Sequence, residues 1–236
     1  MSRPGVIEVA KFAILTRQIP DIYLSSFVDL DIDELSARAG VSIAGVGFDI
    51  DLTVVDHFDE FMPQKHLEKF AELGQRDDIE GFAGITNTGD DRERLERAQG
   101  FIQHIGEATG KPTILVASSD VGGRKPREAI FHEAPRRLNL LSRQMAMVGD
   151  QGAKDTLGAR NSGYGATAQV APYGTHPGDW RTHYFQRPME AAVRLIMPRG
   201  IFRVTDFGKG NPRLAEPVDG RLNDIESIGA TGSADG

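Results

Sequence analysis

The sequence predicts a three-layer α/β domain built around a mainly parallel central sheet. Two observations predict it. Short apolar runs that end in glycine or polar residues alternate with longer stretches of helical period, the pattern expected when helices cover both faces of parallel strands. No repeat or linker interrupts that alternation before a tail rich in Gly, Pro, Ser and Asp.

The elements follow in order. Residues 43–48 read as a buried strand, and 63–73 as an amphipathic helix with Leu67, Phe70, Ala71 and Leu73 near one face, stopped by Gly74. A second strand at 81–85 leads to a helix that starts at Asp90-Asp91 and runs through Leu95, Ala98, Ile102 and Ile105 to Gly110. A third strand spans 113–117. Pro126 opens a helix reaching about Leu140, and 145–148 forms a fourth strand ended by Gly149. A helix over 154–161, a fifth strand at 166–170 and a last helix over 187–197 complete the pattern. The expected organisation is an N-terminal segment at 1–20, one domain at 21–207 and a flexible tail at 208–236, which has too little apolar periodicity to offset the entropy of ordering itself.

Composition narrows the function classes. With 39% hydrophobic and 26% charged residues, 236 residues can bury one substantial core. A net charge of -7 argues against a general nucleic-acid or anionic-membrane binder, which presents a broad basic surface. The absence of cysteine removes disulfides, thiol catalysis and thiolate metal sites. No apolar run approaches the roughly 20 residues of a membrane span, so the expected location is cytoplasmic and any membrane contact peripheral.

Candidate chemistry sits at the strand ends, where ligands bind in open parallel sheets. Asp49 and Asp51 close the first strand, two apart and therefore on one side of an extended segment, with Thr53 nearby. The second strand ends in Thr86-Asn87, the third leads to Lys125-Pro126, and the fourth ends in Gly149-Asp150 with Asp155 beyond. Alone, each has a bland reading as a turn, a helix cap or a solvated charge. Together and in order they supply a carboxylate nucleophile, a hydroxyl for phosphate oxygen, a cation and a second carboxylate for a hard metal ion such as Mg2+. A carboxylate attacks a dianionic phosphate monoester only where such cations offset the repulsion.

This ordered set resembles the four motifs of the haloacid dehalogenase (HAD) superfamily of phosphohydrolases, whose fold is Rossmann-like. Over residues 20–190 it is similar to the class III YqeG-type phosphatases, related to phosphatidylglycerophosphate phosphatase. Pro20-Asp21-Ile22-Tyr23 and Asp31-Ile32-Asp33-Glu34-Leu35 resemble the lead-in segment of that group, Gly149-Asp150-Gln151 its fourth-motif opening, and Trp180, Thr182, Arg187 and Glu190 its C-terminal signature. The resemblance implies Asp49 as nucleophile and Asp51 as acid/base. It implies Thr86 and Lys125 as phosphate ligands with Asn87 supporting them, and Asp49, Asp150 and the Asp51 carbonyl as ligands of Mg2+. Arg92 stands where the group has an arginine, and Asp155 orients the site. Three positions depart from the group: Leu52 replaces an asparagine, Lys154 a threonine, and Arg160-Asn161 reverses the usual order.

The short spacings between motifs leave no room for a large cap domain, so an open site is expected. The expected partner is a phosphorylated substrate, with a lipid phosphate such as phosphatidylglycerophosphate favoured. A phosphoprotein, nucleotide or sugar phosphate is the alternative, and a catalytically silent binding module a third reading. Trp180, Tyr184 and Phe185 beside Arg181, His183 and Arg187 read first as packing and second as a lipid-facing rim. The six histidines show no paired metal spacing and receive no catalytic role. Asp206-Phe207-Gly208 lacks the other kinase motifs, and no P-loop or dinucleotide fingerprint is present.

Overall fold

The structure is a computed structural model, and it describes residues 19–57, 59–89 and 91–174. The expected helix at 187–197, the aromatic rim, the C-terminal signature, the tail and most of the N-terminal segment lie outside the described residues.

Among the described residues six strands form one sheet in which every pairing is parallel. In chain order they are β1 (Ile22–Leu24), β2 (Gly45–Phe48), β3 (Gly81–Thr86), β4 (Thr113–Ala117), β5 (Met145–Gly149) and β6 (Ala166–Val170). Across the sheet the order is β1-β6-β5-β2-β3-β4. The chain winds from β2 outward through β3 and β4, then returns to the other side of β2 for β5 and β6. The switch therefore falls at the carboxyl end of β2, where crossovers diverge and leave a crevice.

Side chains alternate between two cores. Val46, Phe48, Phe82, Ala146 and Val148 join one cluster with Leu35, Phe70 and Ile102. Ala83, Ile85, Met145 and Met147 join the other with Ile130, Phe131, Ala134 and Ala159. The first face is covered by α1 (Ile32–Ala39), α2 (Gln64–Gly74) and α3 (Arg92–Thr109), and the second by α4 (Glu128–Leu138) and α5 (Leu157–Asn161). The Phe70 ring of α2 packs on Phe27, Phe48 and Phe82 with centroids 4.6, 4.9 and 5.7 Å away. Burying such a side chain contributes about 1.5–3 kcal/mol. No cap domain is inserted among the described residues.

Several expectations need correction. A strand is added to the five expected: Ile22–Leu24 pairs with β6 as an edge strand, and Asp31 caps α1 by accepting from the Asp33 and Glu34 N–H groups. Gly74 is not a left-handed stop but the last residue of α2, where a Cβ would stand 2.7 Å from the Thr109 backbone, so it permits close packing of α2 on α3. Helix α4 starts at Glu128 rather than Pro126, and ends one residue before Asn139, whose φ of 57° caps it. The helix expected over 154–161 is a π-helical turn, Gly152–Thr156, running into α5. The expected bounds of α3 hold: Asp91 caps it by accepting from Arg94 N–H, and Gly110, with φ 65°, ends it.

Candidate active site

The crevice at the end of β2 gathers charged side chains from three strands. Lys125 Nζ lies 2.7 Å from Asp49 Oδ1 and 2.8 Å from Asp155 Oδ1. Asp49, Asp150 and Asp155 are all buried and present carboxylate oxygens within 4.8 Å of one another. Asp49 Oδ1 also accepts from the Ile50 N–H at 2.9 Å. That oxygen is thus held by two donors.

Local sequence explains how each group is held. Gly149 closes β5, and a Cβ there would stand 2.4 Å from the Asp155 carboxyl. Only glycine lets that carboxylate fold back against the strand end. Asp155 then accepts from Lys125 through Oδ1 and from the Gln151 N–H through Oδ2, at 2.8 and 3.1 Å. With both oxygens engaged it is the clamp on the lysine. Asn87 Oδ1 accepts from the Lys125 backbone N–H at 2.7 Å, so Asn87 ties the loop after β3 to the lysine segment and sits against protein rather than facing a ligand with that oxygen. Thr86 Oγ1 is buried, 2.8 Å from Thr88 Oγ1. Thr53 Oγ1 is buried with no hydrogen-bond partner, and the loop carrying it is pinned where the His66 ring donates to the Val54 carbonyl at 2.6 Å.

Burial pushes the Asp49 carboxyl well above the ordinary carboxylate range; Lys125 pulls it back, and Asp155 and Asp150 push it further up. Burial would lower the Lys125 pKa, but Asp155 and Asp49 outweigh that and hold it above its ordinary value. Three buried carboxylates face one ammonium, an imbalance that a divalent cation with hard oxygen ligands would correct. The donor set fits Mg2+.

Asp51 occupies a different setting. Its carboxylate is about one quarter exposed, with Oδ2 2.6 Å from Arg94 Nη2 and Oδ1 3.4 Å from His57 Nδ1. It stands at the mouth of the crevice, outside the acidic trio, although its main-chain carbonyl was the ligand that the resemblance implied. Arg92 is not at the site: its side chain is 89% exposed and pairs with Glu96 at 2.8 Å on the surface of α3. Arg94, half a helical turn on, is the arginine that reaches Asp51. Neither Arg94 nor His57 was singled out from sequence. Periodicity offered a signal for Arg94, since Leu95, Ala98 and Ile102 fix the buried face of α3; His57 offered none, because the loop that folds it back is irregular.

The departures from the group also find places. Leu52 has φ 61°, a left-handed conformation that asparagine adopts readily and leucine does not. Arg160 Nη2 donates to Asp21 Oδ1 at 2.8 Å, while Asp21 Oδ2 accepts from the Thr167 N–H, so Asp21 links α5 to β6 at the start of β1. The Lys154 side chain is half-buried in the π-helical turn beside Asp155.

With that geometry in place, comparison with known proteins finds one family model that matches part of the chain. Residues 122–188 match the family described as HAD-hydrolase-like. This stretch carries Lys125, Asp150 and Asp155. No curated protein matches the sequence. An uncharacterised protein from Corynebacterium glutamicum is similar at 16% identity, over 66% of this chain and 98% of that one, with a TM-score of 0.40. An uncharacterised protein from Listeria monocytogenes serotype 4b shares 15% identity over 65% of this chain and 100% of that one, TM-score 0.39. A HAD phosphatase from Thermococcus onnurineus shares 19% identity over 48% of this chain and 46% of that one, TM-score 0.33. These superpositions assign no residue a role.

Proposed function

We propose that this chain is a Mg2+-dependent phosphomonoester hydrolase that works through an aspartyl-phosphate on Asp49. The observation that carries the reading is the buried arrangement of Asp49, Lys125, Asp150 and Asp155 at the switch point of the sheet, with the lysine held between two of the carboxylates. Asp49, Asp150 and the Asp51 carbonyl would hold Mg2+, which would supply charge compensation for the attacking carboxylate and the phosphate dianion.

In the proposed reaction Asp49 Oδ2 attacks phosphorus, and the bond from phosphorus to the ester oxygen breaks. Lys125 and the Thr86 hydroxyl hold the phosphoryl oxygens. Asp51 gives a proton to the departing oxygen, then takes one from the water that attacks phosphorus, which releases inorganic phosphate and restores Asp49. Asn87 and Asp155 position Lys125, and Arg94 orients Asp51. The lipid phosphate reading of the substrate rests on the resemblance alone; soluble phosphate esters and phosphoproteins use the same residues. Phosphate release from 4-nitrophenyl phosphate in the presence of Mg2+ tests the reading. It should occur in the parent and be lost in Asp49→Asn, and equal rates in the two would refute nucleophilic catalysis by Asp49.

A further inference from the structure

Strand β6 carries a buried amide that core packing does not call for. Ala166, Ala168 and Val170 join the first core, and alternation turns Thr167 and Gln169 to the opposite side. Gln169 is 2% exposed. Burying an amide costs free energy unless it is hydrogen-bonded, so an apolar residue would serve packing better. Gln169 Nε2 donates to the main-chain carbonyl of Asp150 at 3.0 Å. Gly149 and Gln169 are partners in the parallel register, so this side chain reaches one residue past the end of β5.

The Asp150 carbonyl belongs to the same peptide group as the Gln151 N–H, which donates to Asp155 Oδ2 at 3.1 Å. That peptide is therefore held at its oxygen by Gln169 and at its hydrogen by Asp155. Asp155 in turn accepts from Lys125 through its other oxygen, at 2.8 Å. Because the peptide is planar, holding it on both sides fixes the backbone torsions that aim the Asp150 side chain. A bond accepted by the carbonyl also strengthens the N–H as a donor, since hydrogen bonds in series polarise one another. One run of bonds thus joins β6 to the acidic cluster.

We propose that Gln169 is a positioning residue that sets the Mg2+ affinity of the site by locking the peptide after Asp150. This role rests on the Mg2+ site proposed above and not on hydrolysis. Mg2+ binding to the full chain is measured by titration calorimetry in the parent and in Gln169→Met, which keeps the length of the side chain and removes its donor. The variant should bind Mg2+ about tenfold weaker, the low end of what groups that orient a metal ligand contribute. Thr167→Val is the control on the same strand. It removes a hydroxyl that donates to Asp21 Oδ2 at 3.2 Å, away from the turn, and should leave the Kd as in the parent. In turnover of 4-nitrophenyl phosphate, Gln169→Met should need about tenfold more Mg2+ for half-maximal rate, with the rate at saturating Mg2+ near that of the parent.

An unchanged Kd in Gln169→Met, or an equal weakening in Thr167→Val, overturns the role. Should Gln169→Met fail to fold, the parent decides by nuclear magnetic resonance: the Gln169 side-chain amide protons should exchange slowly with solvent, and exchange as fast as that of an exposed glutamine overturns the role. A parent that binds no Mg2+ overturns this role and the Mg2+ dependence together. A parent that binds Mg2+ and releases no phosphate overturns the phosphatase reading alone, and the ratio of Kd values still decides Gln169.

Discussion

Two clusters of charge meet at the end of β2, and they differ in almost everything but composition. The inner one, Asp49, Asp150 and Asp155 around Lys125, is buried. The outer one, Asp51 with Arg94 and His57, lies at the mouth with side chains 19–31% exposed. Water screens the outer cluster, so its ion pair is a means of orientation and contributes little stability. Without water, the inner cluster depends on its own partners, and removing one leaves uncompensated charge. Placing the nucleophile inside and the proton donor outside suits the chemistry proposed for them: attack needs fixed, strong charge compensation, and proton transfer needs access to solvent.

The largest effect that sharpens this contrast is expected from Lys125→Met. Deleting the ammonium that faces three carboxylates should cost about 3–5 kcal/mol in metal-free urea denaturation, and a loss under 1 kcal/mol would mean the inner cluster is already relaxed by solvent. Magnesium is next. At a concentration 100 times its Kd it should stabilise the folded protein by about 2.7 kcal/mol, and Asp150→Asn should reduce that gain.

The sign of the pH dependence follows from Asp49, whose folded-state pKa is raised. The folded state then binds more protons than the unfolded one, so without metal this group makes stability fall as pH rises above about 4, the unfolded carboxyl range. Magnesium favours the ionised carboxylate and should flatten that slope. Denaturation midpoints across pH, with and without Mg2+, measure both.

Smaller effects belong to the loop that joins the clusters. Replacing Leu52, at φ 61°, with asparagine should stabilise the fold by about 1 kcal/mol by relieving the left-handed backbone; a destabilisation would show that the leucine side chain packs better than its backbone suggests. Arg94→Ala should change stability by no more than about 1 kcal/mol while lowering turnover most for esters with poor leaving groups, where proton donation matters. A uniform loss across leaving groups would deny Arg94 its orienting role.

Much of this fold was legible because β2 to β6 are apolar runs bounded by breakers and the helices between them have clear periods. The strand ends can then be aligned, which brings Asp49, Lys125, Asp150 and Asp155 into one prospective site. What escaped had physical reasons. The strand Ile22–Leu24 is three residues long and has no periodicity to detect. Gly74 and Gly149 serve close approach to Thr109 and Asp155, contacts between elements distant or irregular in sequence. Arg92 and Arg94 differ only in which side of α3 they occupy, and a motif that names one arginine does not carry that angle.

The most direct test of the central claim is rapid acid quenching of the protein during turnover of 4-nitrophenyl phosphate with Mg2+, followed by mass spectrometry of the peptide containing residues 49–53. The account predicts a phosphoryl group on Asp49 in the parent and none in Asp49→Asn. Turnover with no phosphoryl group on that residue, undiminished in the variant, would contradict it.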